Sequence, residues 1–298
     1  MSEMTRGSSL LGRALPLLIA AAFFAACGAN QPAPPASAPQ RIVSIIPAVT
    51  ETLFAIGAGP RVVGAGSYDT YPPEVAAVPR VGGLIDPDTE RILALRPDLV
   101  YLFASQEDLA RQLRAAGITV EIYQHGGLTE VIAGIRAIGA RVGHEQEAGR
   151  IAGDIERRVA AVRERVKALP RPSTLIVFGR EEGTLRGIYA SAGIGFVHDM
   201  VEAAGGRNVF GDVRRQNVQA SLESIIARRP GVILEIRAAA EVTSPAWRDE
   251  TRRAWSAAAS IPAVANGRIA IVLDERVVVP GPRIGEGIEL LERALHGK

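Results

Sequence analysis

The 298-residue chain holds a single cysteine, Cys27. With no second thiol there is no intramolecular disulfide, and cysteine-based metal sites and cysteine nucleophiles are excluded with it. Histidine is nearly as scarce. His125, His144, His198 and His296 share no helical spacing and form no His-x-x-x-His pair, so no direct metal site is expected. His125 follows a strand and precedes Gly126-Gly127, which leaves it as a weak candidate for a fifth ligand to a metal that arrives already chelated. Phosphate-binding Gly-Lys-Ser/Thr and nucleophile-elbow Gly-x-Ser-x-Gly motifs are missing. The pieces Gly57-Ala58-Gly59 and Gly193-Ile194-Gly195 lack the third glycine of a dinucleotide fingerprint. The carboxylate pair Glu181-Glu182 consists of loop neighbours that seldom converge on one bond, so the chain is not expected to be an enzyme. Charge is balanced as well, at a formal +2 with the basic residues interleaved among acids, which argues against nucleic acid.

A long membrane-spanning run is also absent. The apolar stretch from Ala14 to Ala26 is too short to cross a bilayer comfortably and follows Arg6 and Arg13, the pattern of an export signal. It ends at Phe24-Ala25-Ala26-Cys27-Gly28, which resembles a bacterial lipoprotein cleavage and lipidation site. Residues 1–27 are therefore read as a lipoprotein signal peptide, Cys27 as the lipidated residue, and 28–40, rich in Pro and Ala, as an extended tether. An exported body on a lipid anchor, in the periplasm or at the cell surface, is the expectation.

What the body does contain is an internal repeat. Thr89-Glu-Arg-Ile-Leu-Ala-Leu-Arg-Pro-Asp-Leu-Val100 parallels Leu222-Glu-Ser-Ile-Ile-Ala-Arg-Arg-Pro-Gly-Val-Ile233. In each copy a capping residue (Asp88, Ser221) precedes a first-turn Glu. An apolar stripe follows, then a Pro that stops the helix and a β-branched run suited to a buried strand. Strand-like segments at Arg41–Ile46, Val62–Ala65 and Ile118–Tyr123 alternate with helical ones, and a second alternation begins at Thr174. Between them, Glu145–Leu169 has no proline and places Ile151, Ile155, Val159, Val162 and Val166 on one face, predicting one long helix. The predicted class is α/β: two Rossmann-like lobes, 41–143 and 171–298, joined by a rigid helix within 144–170. With 47% apolar residues the chain can supply both cores.

Arg41-Ile-Val-Ser-Ile-Ile-Pro-Ala-Val-Thr-Glu, Ser67-Tyr-Asp-Thr-Tyr-Pro-Pro-Glu, Val81-Gly-Gly, Ala204-Gly-Gly-Arg-Asn-Val-Phe and Gly281-Pro-Arg-Ile, in this order, resemble the cobalamin and iron-siderophore substrate-binding proteins of ABC importers. The resemblance covers roughly residues 41 to 296 and implies a ligand cleft between the lobes with little hinge closure. It implies that Glu90 and Glu223, the two carboxylates of the repeat, dock onto arginines of a dimeric permease served by separate ATPase subunits. The cargo implied is a metal chelate, corrinoid or ferric siderophore, with haem as the alternative. The binding protein, a monomer, would have no cofactor of its own.

For the cleft, the resemblance singles out Tyr68, Phe103 and Phe178 as aromatic contacts. Where cobalamin-binding relatives carry Trp, this chain has Leu84 and Asn217. Arg180, Arg186, Arg214, Arg215, Arg276 and Arg283 lie in or beside the loops that the resemblance places at the cleft, and a guanidinium suits carboxylate or catecholate oxygens. The ligand set expected is Tyr68, Phe103, Phe178, Arg180, Arg214, Arg215, Asn217 and Arg283. A structural or adhesive lipoprotein would explain the tether but not the duplicated carboxylates.

Overall fold

Two sheets organise the chain, built largely from short runs rich in Val, Ile and Leu. The structure, a computed structural model, describes residues 38–239, 242 and 244–297. The signal peptide with Cys27, and the tether up to residue 37, lie outside the described residues. The first half runs β1 (Ile42–Ser44), α1 (Pro47–Ala55), β2 (Val62–Ala65), α2 (Thr89–Ala94), β3 (Leu99–Phe103), α3 (Glu107–Ala115), β4 (Thr119–Tyr123) and α4 (Leu128–Val142). Its four strands form one parallel sheet in the order β2-β1-β3-β4. Helix α1 begins at Pro47 itself, three residues earlier than the spacing after Thr50 suggests. Proline lacks the N–H that a first helical turn leaves unpaired, so it starts this helix as well as ending the strand.

The long helix is α5 (Glu145–Val166), and the expected apolar face is the buried one: Ile151, Ile155, Val159, Val162 and Val166. Then come β5 (Ser173–Gly179), β6 (Ile188–Ser191), α6 (Phe196–Ala203), β7 (Arg207–Asn208), β8 (Asn217–Ala220), α7 (Leu222–Arg228), β9 (Val232–Arg237), α8 (Trp247–Ser256), α9 (Pro262–Ala265), β10 (Ile269–Leu273) and α10 (Ile284–His296). Strands β10, β9 and β5 are parallel, whereas β6 and β8 extend the sheet antiparallel. Alternation alone does not reveal those two short strands, since each has only four residues.

The duplication in sequence is a duplication in backbone. Asp88 and Ser221 cap α2 and α7, accepting from the N–H of Arg91 (3.0 Å) and Ser224 (3.2 Å). Each helix then ends on an arginine in the left-handed region, Arg96 (φ 48°) and Arg229 (φ 49°), directly before Pro97 and Pro230. Non-glycine residues adopt that conformation uncommonly, so its recurrence at matched sites marks one unit used twice.

A single apolar core runs from the first sheet (Ile42, Val43, Leu99, Leu102) through α4 and α5 to α10 (Ile288, Leu291, Leu295). A second cluster around Trp255 fills the far face of the second sheet. Ion pairs fasten α5 on both sides, Glu156 to Arg136 of α4 (2.9 Å) and Arg158 and Arg165 to Glu289 (3.3 Å) and Glu292 (2.5 Å) of α10. The helix is thus packed along its length against both lobes.

Candidate ligand cleft and docking carboxylates

In open parallel sheets ligands bind beyond the carboxyl ends of the strands. Here Phe103 is the last residue of β3, and the loops leaving β2 and β4 carry Tyr68 and His125. Phe103 lies edge-on to Tyr123 (ring centroids 5.9 Å apart) and to His125 (6.3 Å), and His125 in turn meets Phe196 at 5.5 Å. Phe196 belongs to the other lobe, as the first residue of α6. An unbroken line of four rings therefore crosses from one lobe to the other.

His125 sits half-buried at the centre of this line. Its Nδ1 is buried without a hydrogen-bond partner, and burial lowers its pKa, so the ring is neutral at pH 7. A metal-bound imidazole normally donates its other N–H to an acceptor. No such acceptor meets Nδ1 among the described residues, and no group of three or more His, Cys, Asp or Glu there could hold a metal ion.

Large apolar side chains stand exposed on both lobes. Tyr68 is 73% exposed and Ile85 94%, and Leu84 joins them on the first lobe. The Tyr68 ring lies over Gly83, where an added Cβ would come within 3.2 Å of it. On the second lobe Phe178 lies 6.3 Å from the exposed Tyr189, and Ile194 is exposed at the turn before α6.

The loop bearing Tyr68 is fixed from beneath by a buried acid. Asp69 Oδ2 accepts from Thr50 Oγ1 of α1 (2.6 Å) and from the N–H of Gly66 (2.9 Å), while Oδ1 is buried and unpaired. Arg80 reaches the carbonyls of Gly66 and Asp69, both at 2.8 Å. Burial outweighs these bonds and pushes the Asp69 carboxyl up to about 6.

The arginines divide into engaged and free. Arg180 and Arg283, both expected as ligand contacts, each engage a buried acid of the protein. Arg180 is 5% exposed, with Nε 2.7 Å from the fully buried Glu235, whose same oxygen accepts from Trp255 Nε1 at 2.7 Å. Arg237 approaches the other oxygen of that carboxylate at 3.5 Å, so two guanidinium groups offset the buried charge, and Arg180 turns inward to supply the shorter bond. Arg283 makes a two-pronged bond to Glu51 of α1 (2.6 and 2.9 Å) and lies 3.8 Å over the Tyr71 ring. Glu51 is 4% exposed; burial raises its pKa, against the lowering by Arg283. Arg276 is held by Asp274 and Glu286, and Arg186 by Glu181. Arg214 and Arg215 are exposed and in no ion pair among the described residues. Their loop lies against the turn into α6, since Ile194 donates to the Arg215 carbonyl at 3.1 Å. Asn217 is half-buried at the start of β8, paired with Ser191.

Glu90 and Glu223 occupy the same place in α2 and α7, two residues past the cap. Both are exposed, and neither is in an ion pair among the described residues. Backbone and Ser221 hydrogen bonds lower the Glu223 pKa, keeping it ionised.

The sequence matches the periplasmic binding protein family across residues 42–276. The chain belongs to that family. It is 30% identical over 266 residues to an uncharacterised ABC transporter substrate-binding lipoprotein, YvrC, of Bacillus subtilis, covering 87% of this chain and 80% of that one. It is 27% identical over 202 residues to the vitamin B12-binding protein of Yersinia pestis, covering 67% and 70%. Among solved structures, the periplasmic heme-binding protein RhuT of Roseiflexus in apo form superposes with a TM-score of 0.73 at 28% identity, over 88% of this chain and 99% of that one.

Within this periplasmic binding protein, four residues of the cleft region escape sequence reasoning: Glu51, Asp69, Tyr123 and Phe196. Two had a signal. Tyr123 ends the strand that leads to His125, and Phe196 follows Gly195 at a helix start. The acids had none, because an Asp or Glu gains its meaning from burial, and burial is a property of the fold.

Proposed function

We propose that this protein captures a metal chelate outside the cytoplasm and delivers it to an ABC permease. The chelate would be held in the cleft between the lobes, and energy would come from separate ATPase subunits. The observation that carries the reading is the line of rings Phe103, Tyr123, His125 and Phe196, drawn from both lobes and flanked by exposed Tyr68, Leu84 and Ile85. A broad, flat, largely apolar ligand such as a corrinoid or porphyrin ring gains by covering such a surface. The names of the vitamin B12-binding and heme-binding relatives agree with that chemistry. Arg214 and Arg215, exposed and in no ion pair among the described residues, favour haem or a ferric siderophore, whose carboxylate or catecholate oxygens need cations. Glu90 and Glu223 would dock the monomer on two related basic sites of the permease, and a lipid on Cys27 would hold it at the membrane. Catalysis has no place in this reading.

The test is a titration of the full chain carrying Cys27→Ser with cyanocobalamin, haemin and a panel of ferric siderophores, followed by quenching of intrinsic fluorescence. Saturable submicromolar binding of one of them is expected. Absence of binding to every member of the panel would overturn the reading.

A further inference from the structure

Arg283 was placed among ligand contacts by its sequence position, but its surroundings assign it another task. Its guanidinium touches two other parts of the chain at once. It belongs to the second lobe, at the cap of α10, and grips Glu51 of α1 in the first lobe at 2.6 and 2.9 Å. It also lies 3.8 Å over the ring of Tyr71, in the loop that presents Tyr68. The backbone beside it is equally close to the first lobe: Gly281 faces the Cα of Ala48 at 3.5 Å from a Cβ position, and the Tyr123 hydroxyl donates to the Pro280 carbonyl at 3.3 Å. On the opposite flank of His125 the lobes are joined again, where the Leu128 N–H donates to Asp199 Oδ2 at 2.8 Å.

We infer that Arg283 is a positioning residue for ligand capture: through Glu51 and Tyr71 it fixes the angle between the lobes and holds the Tyr68 loop over the cleft, without touching the ligand. A planar fork is suited to this because it can bond a carboxylate with two parallel N–H groups and still stack on a ring; an ammonium cannot do both. The location of the ligand in the cleft rests on the proposed function. The fixation itself does not.

The deciding variant is Arg283→Lys, which keeps the charge beside the buried Glu51 but loses the fork and the stacking. Two labels are introduced in the Cys27→Ser background at exposed helical sites, Gln112→Cys in α3 and Glu250→Cys in α8, and the distance distribution between spin labels is read without ligand. In parallel, amide exchange is followed at Ser67–Thr70. The expected result is a broadened distance distribution and exchange faster by about tenfold, with far-UV circular dichroism unchanged. Tyr71→Leu preserves the ion pair and is expected to speed exchange in the loop while leaving the distances as they are. It serves in place of the lysine variant should that fail to fold. Unchanged distances and unchanged exchange in Arg283→Lys, or unchanged exchange in Tyr71→Leu, would overturn the assignment. Neither readout needs a ligand, so failure of every chelate to bind would strike the proposed function and leave this result standing. Should haemin or cyanocobalamin bind, Arg283→Lys is expected to weaken it about tenfold with its absorption spectrum unaltered, as for a residue that acts at a distance.

Discussion

Replacing Asp69 with Asn isolates the cost of a buried charge beneath the ligand loop. The carboxyl is displaced from 3.8 to about 6, first by burial, with the bonds from Thr50 and Gly66 and the charge of Arg80 opposing it. Because the folded-state value is the higher one, the folded chain binds this proton more tightly than the unfolded chain. The contribution of Asp69 to stability is therefore complete below about pH 4, and is lost as pH rises through about 6. At 1.36 kcal/mol per unit the loss amounts to about 3 kcal/mol. Asparagine keeps an oxygen for Thr50 and Gly66 but sets an NH₂ where Oδ1 now lies unpaired, a penalty of about 1–3 kcal/mol that does not vary with pH. The absolute ranking of the two proteins is thus close, whereas the pH dependence of their difference is not. Urea unfolding followed by far-UV circular dichroism at about pH 7.5 and about pH 4 should show Asp69→Asn gaining about 2.4 kcal/mol relative to the parent between the acidic and the neutral condition, since at pH 4 the unfolded carboxyl is already partly ionised. Other titrating groups, Glu51 among them, largely cancel in that difference. A difference that stays constant within about 0.5 kcal/mol would refute the claim that Asp69 carries a displaced proton equilibrium.

Alanine at Glu90 and Glu223 together should reduce chelate uptake by cells at least about tenfold while leaving the affinity of the purified protein within about twofold, because both carboxylates are exposed on the first turns of α2 and α7; uptake at parental rates would count against docking. Glu235→Gln should destabilise the chain by about 3–5 kcal/mol in urea unfolding, since it leaves Arg180 buried without its counter-charge. Phe103→Ala and Phe196→Ala should each weaken binding of a flat chelate about tenfold, and the two effects should couple in a double-variant cycle because both rings meet His125.

The two-lobe plan is legible in the sequence because it rests on local rules repeated at fixed places. Capping residues, first-turn Glu, apolar stripe and terminating proline recur at 88–100 and 221–233, and each acts within a turn or two of itself. The buried face of α5 is legible for the same reason, as its periodicity needs no knowledge of what lies opposite. Cleft aromatics at strand ends, such as Phe103, follow from the resemblance and from topology together. The arginines do not yield to that reasoning. A loop arginine in sequence is only a cation, and whether it meets a ligand depends on whether the fold has already buried an acid within its reach. Arg283 finds Glu51 across 232 positions, and Arg180 finds Glu235 across 55. In both cases the acid is buried, so the penalty for leaving it unpaired exceeds what a ligand at the cleft edge would gain from the same guanidinium. Arg214 and Arg215 are in no ion pair among the described residues, and this difference in partners, invisible at the level of residue type, is what makes those two the cations proposed for an anionic chelate.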